Sequence, residues 1–352
     1  MVVRVGFYGA GLISAMHTRL LVTAGLPYEI VAVHDPDRSR AERFAHDHGA
    51  RVAGPEELVE LVDAVYVTAW TSEHARLVAA AAARGRAVFC EKPLAFDAPA
   101  AEAIVASAAG VVNQVGLILR ALPTFRWVRH LLADDRAGPV MGVVFRDDQY
   151  LPTQGMYGST WRADPARAGR GALLEHSIHD ADILQWLLGP AVSVSGRTRE
   201  VHGLDRIDDV AAATITFRSG AIAQLLSVWH DVLERPSNRR VEVLCARLHV
   251  TIHDEFAGPV TWRFTGEPEE TRTAEELVDL VRSVERDDPG PTTGVPARPI
   301  FNPATSFLRA VRDGGTAEPP LAAAVAAHHL VDAIDASAEA GGRPTDVAAP
   351  RP

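Results

Sequence analysis

The chain has 352 residues, a length that suits two domains and a large buried core. Apolar residues make up 47 % and charged residues 23 %, which excludes a disordered chain, and two cysteines, Cys90 and Cys245, exclude a disulfide framework. A formal charge of −10, from 35 basic and 45 acidic residues, argues against a duplex nucleic-acid partner. The one compact basic group, Arg239-Arg240 with Arg235 nearby, reads as a solvated turn. No signal-peptide pattern opens the chain and no run approaches the roughly eighteen apolar residues of a membrane span. A cytoplasmic protein without a membrane partner is expected.

The first third alternates strand and helix patterns. Strands are predicted at Val2–Tyr8, Glu29–His34, Ala64–Thr68, Ala87–Cys90 and Val111–Val115. Helices are predicted at Leu12–Ala24, Asp37–His48, Pro55–Val62, Ser72–Arg84 and Ala98–Ala109. Continuous apolar strands separated by helices predict a parallel sheet covered on both faces. After about residue 120 the rhythm changes. A helix at Thr124–Ala133 leads to a strand at Val140–Asp147 and a glycine-rich loop, Thr153–Gly171. A helix over Leu174–Leu188 stops at Gly189-Pro190. From Val192 to Phe264 strand and turn alternate, as in Val210–Arg218 and Ala221–Val228 around Ser219-Gly220, which predicts an antiparallel sheet. Helices follow at Thr273–Glu285 and Pro303–Asp313, separated by a Pro/Gly-rich loop (Asp288–Pro299), and Ala317–Ala340 forms a last helix. Gly341–Pro352 reads as a frayed tail. The fold class is therefore α/β: a doubly wound parallel sheet over 1–120, a second α/β domain with a large, mostly antiparallel sheet over 121–340, and a flexible tail, 341–352.

Gly9-Ala10-Gly11-Leu12-Ile13-Ser14 stands between the first strand and the first helix. This is a dinucleotide fingerprint with serine at the third glycine position. Gly9 permits the tight turn, and Gly11 lets the backbone approach a pyrophosphate. The helix N-terminus at Leu12 and Ile13 then offers free N–H groups. Asp35 ends the second strand, where a carboxylate accepts hydrogen bonds from ribose hydroxyls and repels a 2′-phosphate. NAD is favoured, with NADP as the alternative because Arg38 and Arg40 follow closely. The plainer reading of Asp35 is a turn residue before Pro36.

Of the 35 basic residues, 34 are arginine and one is Lys92. Arginine stays protonated at physiological pH, whereas a lysine amine exchanges protons. Lys92 lies in Cys90-Glu91-Lys92-Pro93, at the carboxyl end of a predicted parallel strand, the edge where open α/β sheets bind ligands. The competing reading is a solvated Glu91–Lys92 pair. A second constellation, Glu175-His176-Ser177-Ile178-His179-Asp180-Ala181-Asp182, places Glu175, His179 and Asp182 on one predicted helical stripe. A histidine flanked by carboxylates suits a general base; a structural histidine capped by Asp182 is the alternative. The i, i+3 spacing of His176 and His179 does not match a zinc helix, and no metal is expected.

Taken in order, these residues resemble the glucose–fructose oxidoreductase / inositol dehydrogenase / MocA-type oxidoreductases, from about Val3 to Ala340. The marks are Gly-Phe-Tyr-Gly-Ala-Gly-Leu-Ile-Ser with His17, Val-Ala-Val-His-Asp-Pro-Asp, Thr71 to His74, Glu91-Lys92-Pro93, Trp161-Arg162, and Gly169 to His179 with Asp182. The resemblance implies a Rossmann domain and a second domain whose open sheet serves as a subunit interface, giving a dimer or tetramer. It implies a nicotinamide cofactor and a sugar, cyclitol or related small alcohol or ketone as substrate. Lys92, Glu175 and His179 match the family's catalytic positions, and Thr71, His74 and Glu91 match positions lining the cofactor. Arg120, Tyr157, Trp161, Arg162 and Asp182 are candidate substrate contacts. Departures are Gly169-Arg170-Gly171 in place of three glycines, which would bring an extra cation to the pocket mouth, Glu175 in place of an aspartate, and the large Trp70. Hydride transfer to or from a secondary carbinol is the expected reaction. A glycoside hydrolase using transient oxidation by NAD and a nucleotide-sensing regulator without catalysis are the alternatives.

Overall fold

Strands and helices alternate through the first third as the pattern predicts, with one short strand, Arg51–Val52, beyond the five expected. The strands are β1 (Val3–Tyr8), β2 (Tyr28–His34), β3 (Arg51–Val52), β4 (Ala64–Val67), β5 (Ala87–Cys90) and β6 (Asn113–Val115). The helices are α1 (Leu12–Val22), α2 (Arg38–His48), α3 (Pro55–Leu61), α4 (His74–Ala82) and α5 (Ala98–Ser107). The strands form one parallel sheet in the order β3-β2-β1-β4-β5-β6. β4 and β5 are buried along their whole length, which is why they read as unbroken apolar runs. The computed structural model describes residues 1–286, 288–294 and 298–349.

The register aligns His34, Tyr8, Val67, Cys90 and Val115 in one row across the sheet. The chain therefore leaves five strands side by side at the carboxyl edge, where Gly9, Asp35, Thr68 and Glu91 follow directly. Beneath that edge, rings on three adjacent strands stack: Phe7 on Tyr66 at 5.0 Å and Tyr66 on Phe89 at 4.8 Å. His17 of α1 meets Phe89 at 4.6 Å. Such contacts add to area burial and leave the edge a rigid base.

Contacts divide the chain into two units, and the first includes Phe301–Val325 as well as Met1–Leu117. The sequence placed the whole of this later stretch in the second domain. Its attachment is polar and specific: the Asn302 amide donates to the Leu20 carbonyl (2.6 Å), and the Thr305 hydroxyl to that of Ala24 (3.0 Å). Phe307, on the helix Pro303–Asp313, packs edge-on against Tyr66 at 5.4 Å. Partners some 280 positions apart leave no local trace in a sequence.

The second unit contains α6 (Pro123–Leu132), β7 (Val140–Tyr150), α7 (Pro165–Ala168) and α8 (Ile178–Leu188). Strands β8 (Ala191–Arg199), β9 (Val210–Phe217), β10 (Ile222–His230), β11 (Asn238–Cys245), β12 (Leu248–Ile252), β13 (Val260–Phe264) and β14 (Glu270–Arg272) follow, then α9 (Ala274–Val284). Its nine-stranded sheet runs β14-β13-β12-β11-β7-β10-β9-β8 and ends on the short strand Thr345–Asp346. Every pair is antiparallel except β7 with β10. The tail expected to fray is thus paired to β8, and the Val347 N–H donates to the Val192 carbonyl at 3.0 Å; residues 350–352 of that stretch lie outside the described residues. Within the Pro/Gly-rich loop Asp288–Pro299, 295–297 also lie outside them. The last helix spans Ala323–Glu339, later than the predicted start, because Pro319 and Pro320 cannot donate in a helix interior. Among the described residues no helix is long and apolar enough to cross a membrane.

Candidate functional site

The glycine turn of the first unit is confined on one side by Thr68. Gly9 has φ +105°, and a Cβ there would stand 2.7 Å from the Thr68 carbonyl oxygen, so only glycine fits. At Gly11 a Cβ would meet nothing within 4 Å, so the backbone borders open space. α1 starts on Gly11 without a side-chain cap, which leaves its first N–H groups for an anion. Ser14 does more than replace a glycine: it is buried, and its hydroxyl donates to the Gly9 carbonyl (2.8 Å) and meets the Thr68 hydroxyl (2.8 Å). Asp35 is half-buried and accepts from the Ala10 N–H and the Asp37 N–H, both at 2.8 Å. It braces the turn, and each carboxylate oxygen keeps acceptor capacity for a ribose hydroxyl. Leu12 is exposed, Ile13 is half-buried, and Arg38 is exposed and paired with Glu42 at 2.8 Å. The uncapped helix start, the open flank of Gly11 and the acceptor at Asp35 fit a dinucleotide.

Glu91 leaves β5 into a built pocket. His17 Nε2 lies 2.7 Å from its Oε1, the Lys92 N–H donates to its Oε2 at 3.1 Å, and a Cβ on Gly116 would clash with the carboxylate at 2.6 Å. Burial raises the Glu91 pKa, but the His17 hydrogen bond and the charges of His17 and Lys92 outweigh it and hold the carboxyl below its usual range. The solvated-pair reading of Glu91 therefore fails: the carboxylate is committed to His17 and to the backbone that carries Lys92. Lys92 is half-buried and precedes a cis peptide bond to Pro93. Thr71 and His74 are buried; the ring nitrogens of His74 lie 3.3 Å from the Leu94 and Ala69 carbonyls, so this histidine ties two loops together.

The helix expected over Leu174–Leu188 is interrupted. Ala172–His176 is a π turn, and α8 begins only at Ile178. Asp208 closes the start of the turn by accepting from Gly171 N–H (2.9 Å) and Leu173 N–H (2.8 Å). The single stripe of Glu175, His179 and Asp182 is thereby corrected, because a π turn breaks the 3.6-residue period. Glu175 is buried and accepts from Arg162 Nε at 3.1 Å, while the Arg162 guanidinium lies over Trp161 at 4.3 Å. Asp182 accepts from Arg120 Nε at 2.9 Å, so it is engaged by an arginine rather than capping His179. Burial raises the Asp182 pKa against the pull of Arg120. His179 is buried in the first turn of α8. Tyr157 packs on Tyr150 at 5.4 Å. Arg170, expected at a pocket mouth, is paired with Asp335.

Arg239 overturns the solvated-turn reading. It lies on β11, is 4 % exposed, and its Nε donates to Asp180 Oδ1 at 2.8 Å. Its Nη1 donates to Glu255 at 3.2 Å, and Nη2 lies 3.0 Å from Asp147 and 3.1 Å from His176. Arg235 and Arg240 are exposed, the first paired with Asp148 and the second beside Glu242, so the solvated reading fails for Arg239 alone. Burial, then the charge of Asp147, pushes Asp180 up to about 7 against Arg239 and His176; burial pushes Glu255 up to about 7 against Arg239. Three acids share one guanidinium, so the upward direction follows.

These raised acids set a sign. The folded chain keeps protons that unfolded carboxylates release near pH ~4, so stability falls as pH rises from there through about 7. The lowered carboxyls, Glu91 and Asp148 among them, act below that window. Thermal midpoints are expected to drop by several degrees between mildly acidic and mildly alkaline buffer, and Asp180→Asn should flatten the slope. A midpoint that climbs across this range contradicts the assignment.

Comparison with known proteins follows the two units. The profile described as "Oxidoreductase family, NAD-binding Rossmann fold" matches residues 3–117, and that described as "GFO/IDH/MocA C-terminal domain" matches residues 125–251. The chain is 35 % identical over 212 residues to the 1,5-anhydro-D-fructose reductase of Ensifer adhaerens, covering 58 % of this chain and 61 % of that protein. It is 32 % identical over 231 residues to the scyllo-inositol 2-dehydrogenase (NAD(+)) of Bacillus subtilis (strain 168), covering 62 % and 65 %. The matched stretch thus spans less than two thirds of either relative. A crystal structure of an oxidoreductase domain protein from Kribbella flavida superposes with a TM-score of 0.85 at 23 % identity, over 99 % of this chain and 100 % of that one, which establishes the shared fold.

Proposed function

The chain belongs to the Gfo/Idh/MocA oxidoreductase family, and on that premise we propose that it transfers a hydride reversibly between a nicotinamide coenzyme and a secondary carbinol of a sugar, cyclitol or related small molecule. The observation that carries the proposal is the placement of Lys92. The chain's one lysine follows β5 on the sheet edge where Gly9–Gly11 and Asp35 also emerge, and its backbone is fixed by Glu91. NAD is the coenzyme we favour over NADP, because the Asp35 carboxylate would repel a 2′-phosphate.

Gly9, Gly11 and the first N–H groups of α1 would hold the pyrophosphate, and the bound coenzyme would supply the hydride acceptor. The substrate hydroxyl must lose its proton as the hydride leaves, so a base within hydrogen-bond reach is required. His179 takes that role. Lys92 holds the oxygen as negative charge develops and shares the proton through its exchangeable ammonium. Glu175, neutralised by Arg162, orients the substrate. Arg120 and Asp182 bind each other, so they act as a brace for α8 rather than as free substrate contacts. Tyr157 and Trp161 are proposed apolar platforms for sugar C–H faces. A second copy of the chain would cover the sheet face that exposes Met141, Val144, Ile222 and Leu226.

The test is nicotinamide reduction by the purified chain across cyclitols, aldoses and anhydrosugars, with NAD and NADP side by side. Native mass spectrometry on the same preparation reports retained nucleotide and assembly size. Turnover with at least one carbinol, and a preference of tenfold or more for NAD, is expected. Binding without turnover would turn the reading to a sensor, and sugar release without net reduction would turn it to a hydrolase.

A further inference from the structure

We propose that Arg239 is a positioning residue for His179; the inference rests on the assignment of His179 as proton acceptor. One guanidinium grips the turn at two points, through His176 (3.1 Å) and Asp180 (2.8 Å). His176 ends the π turn and Asp180 directly follows His179 in the first turn of α8, so the two grips bracket His179 along the chain. On its other side Arg239 is moored to the sheet. Its own N–H and its Nη1 donate to Glu255 at 2.8 and 3.2 Å, and Nη2 pairs with Asp147 of β7 at 3.0 Å. His176 Nε2 also lies 2.7 Å from Asp147, which closes the network.

The geometry is costly for a purely structural element. Burying an ion cluster rarely stabilises more than an apolar side chain of similar size would. What it provides is a fixed angle, because a planar fork with several N–H groups reaches several acceptors at once and a lysine amine does not. It acts where the π turn hands over to α8, so the orientation of His179 depends on where Asp180 and His176 are held. The charged groups facing this point are Asp147 from β7, His176 from the π turn, Asp180 from α8 and Glu255 after β12, with Asp254 acting on Glu255.

The experiment compares Arg239→Lys, Arg239→Gln and His179→Ala in the full chain, using scyllo-inositol and NAD as probes and titrating ring signals of nitrogen-labelled histidine by NMR. Arg239→Lys is expected to lose about tenfold to hundredfold in kcat, with KM for the carbinol changed less than about threefold and NAD affinity unchanged. In Arg239→Gln the titration of the His179 ring should move by at least about half a unit, because His176 and the adjoining Asp180 lose the guanidinium that holds them. A merely structural role would lower thermal stability and move neither kcat alone nor the ring titration. Unchanged kcat and titration in a folded Arg239→Lys, beside an inactive His179→Ala, would overturn this inference alone. Full activity in His179→Ala would overturn the proton-acceptor assignment and this inference with it. Should Arg239→Gln fail to fold, Arg239→Lys decides by itself, since it keeps the buried charge.

Discussion

Replacement of Lys92 by arginine is expected to lower turnover by two orders of magnitude or more while nucleotide affinity stays within a few-fold of the parent. Positive charge is retained, so any role in holding an oxyanion by charge alone would survive. What disappears is proton exchange, because a guanidinium does not give up its proton at any pH the fold tolerates. Positioned acid–base groups contribute about a hundredfold to ten-thousandfold, which sets the size of the loss. The glycine turn is built from Gly9, Ser14, Thr68 and Asp35 and is held by their own hydrogen bonds, so nucleotide titration should register little. Steady-state rates and a binding titration on the same Lys92→Arg preparation check this. Turnover near the parent value would remove the amine from the chemistry.

Gly171→Ala is expected to cost about 3–5 kcal/mol of stability, at the upper end for a single methyl group. Gly171 has φ −96°, so backbone freedom is not the reason. The reason is contact: a Cβ would fall 1.8 Å from the Asp208 carbonyl oxygen and 2.6 Å from the Asp208 carbonyl carbon and nitrogen. All three are backbone atoms, and the same stretch of Asp208 is held by accepting from Gly171 and Leu173. Neither side can step aside without opening the π turn that carries Glu175. Denaturant titration gives the stability change, and loss of activity should accompany it at temperatures where the variant is still folded. A midpoint equal to that of the parent would mean that the turn is not closed by Asp208 in solution.

Where sequence reading failed, the physics is specific to each place. Arg239 could have been found: Arg239, Val241 and Val243 alternate on one face of β11, and a period of two in phase with two valines marks the buried face. The neighbouring Arg240 obscured it, since two adjacent arginines look solvated until the strand is recognised. The π turn had no such signal. Gly171-Ala172-Leu173-Leu174-Glu175-His176 has helix-forming composition, and only the approach of Asp208, 37 positions further on, selects the wider turn. Ser14, likewise, is legible as a small residue at a glycine position but not as the hydroxyl linking Gly9 to Thr68.

The sequence by itself determined the parallel sheet, the glycine turn at its edge and the strand end that carries Lys92, since these rest on local periods and on single residues whose backbone or proton chemistry has no substitute. The tertiary structure alone decided which carboxylate meets which arginine, where the helix bearing His179 begins, and that Phe301–Val325 returns to the first unit. Those outcomes depend on groups distant in the chain competing for the same buried partners, and burial makes the pairing selective: an acid shut away from water is driven to whichever guanidinium or N–H the fold brings within reach.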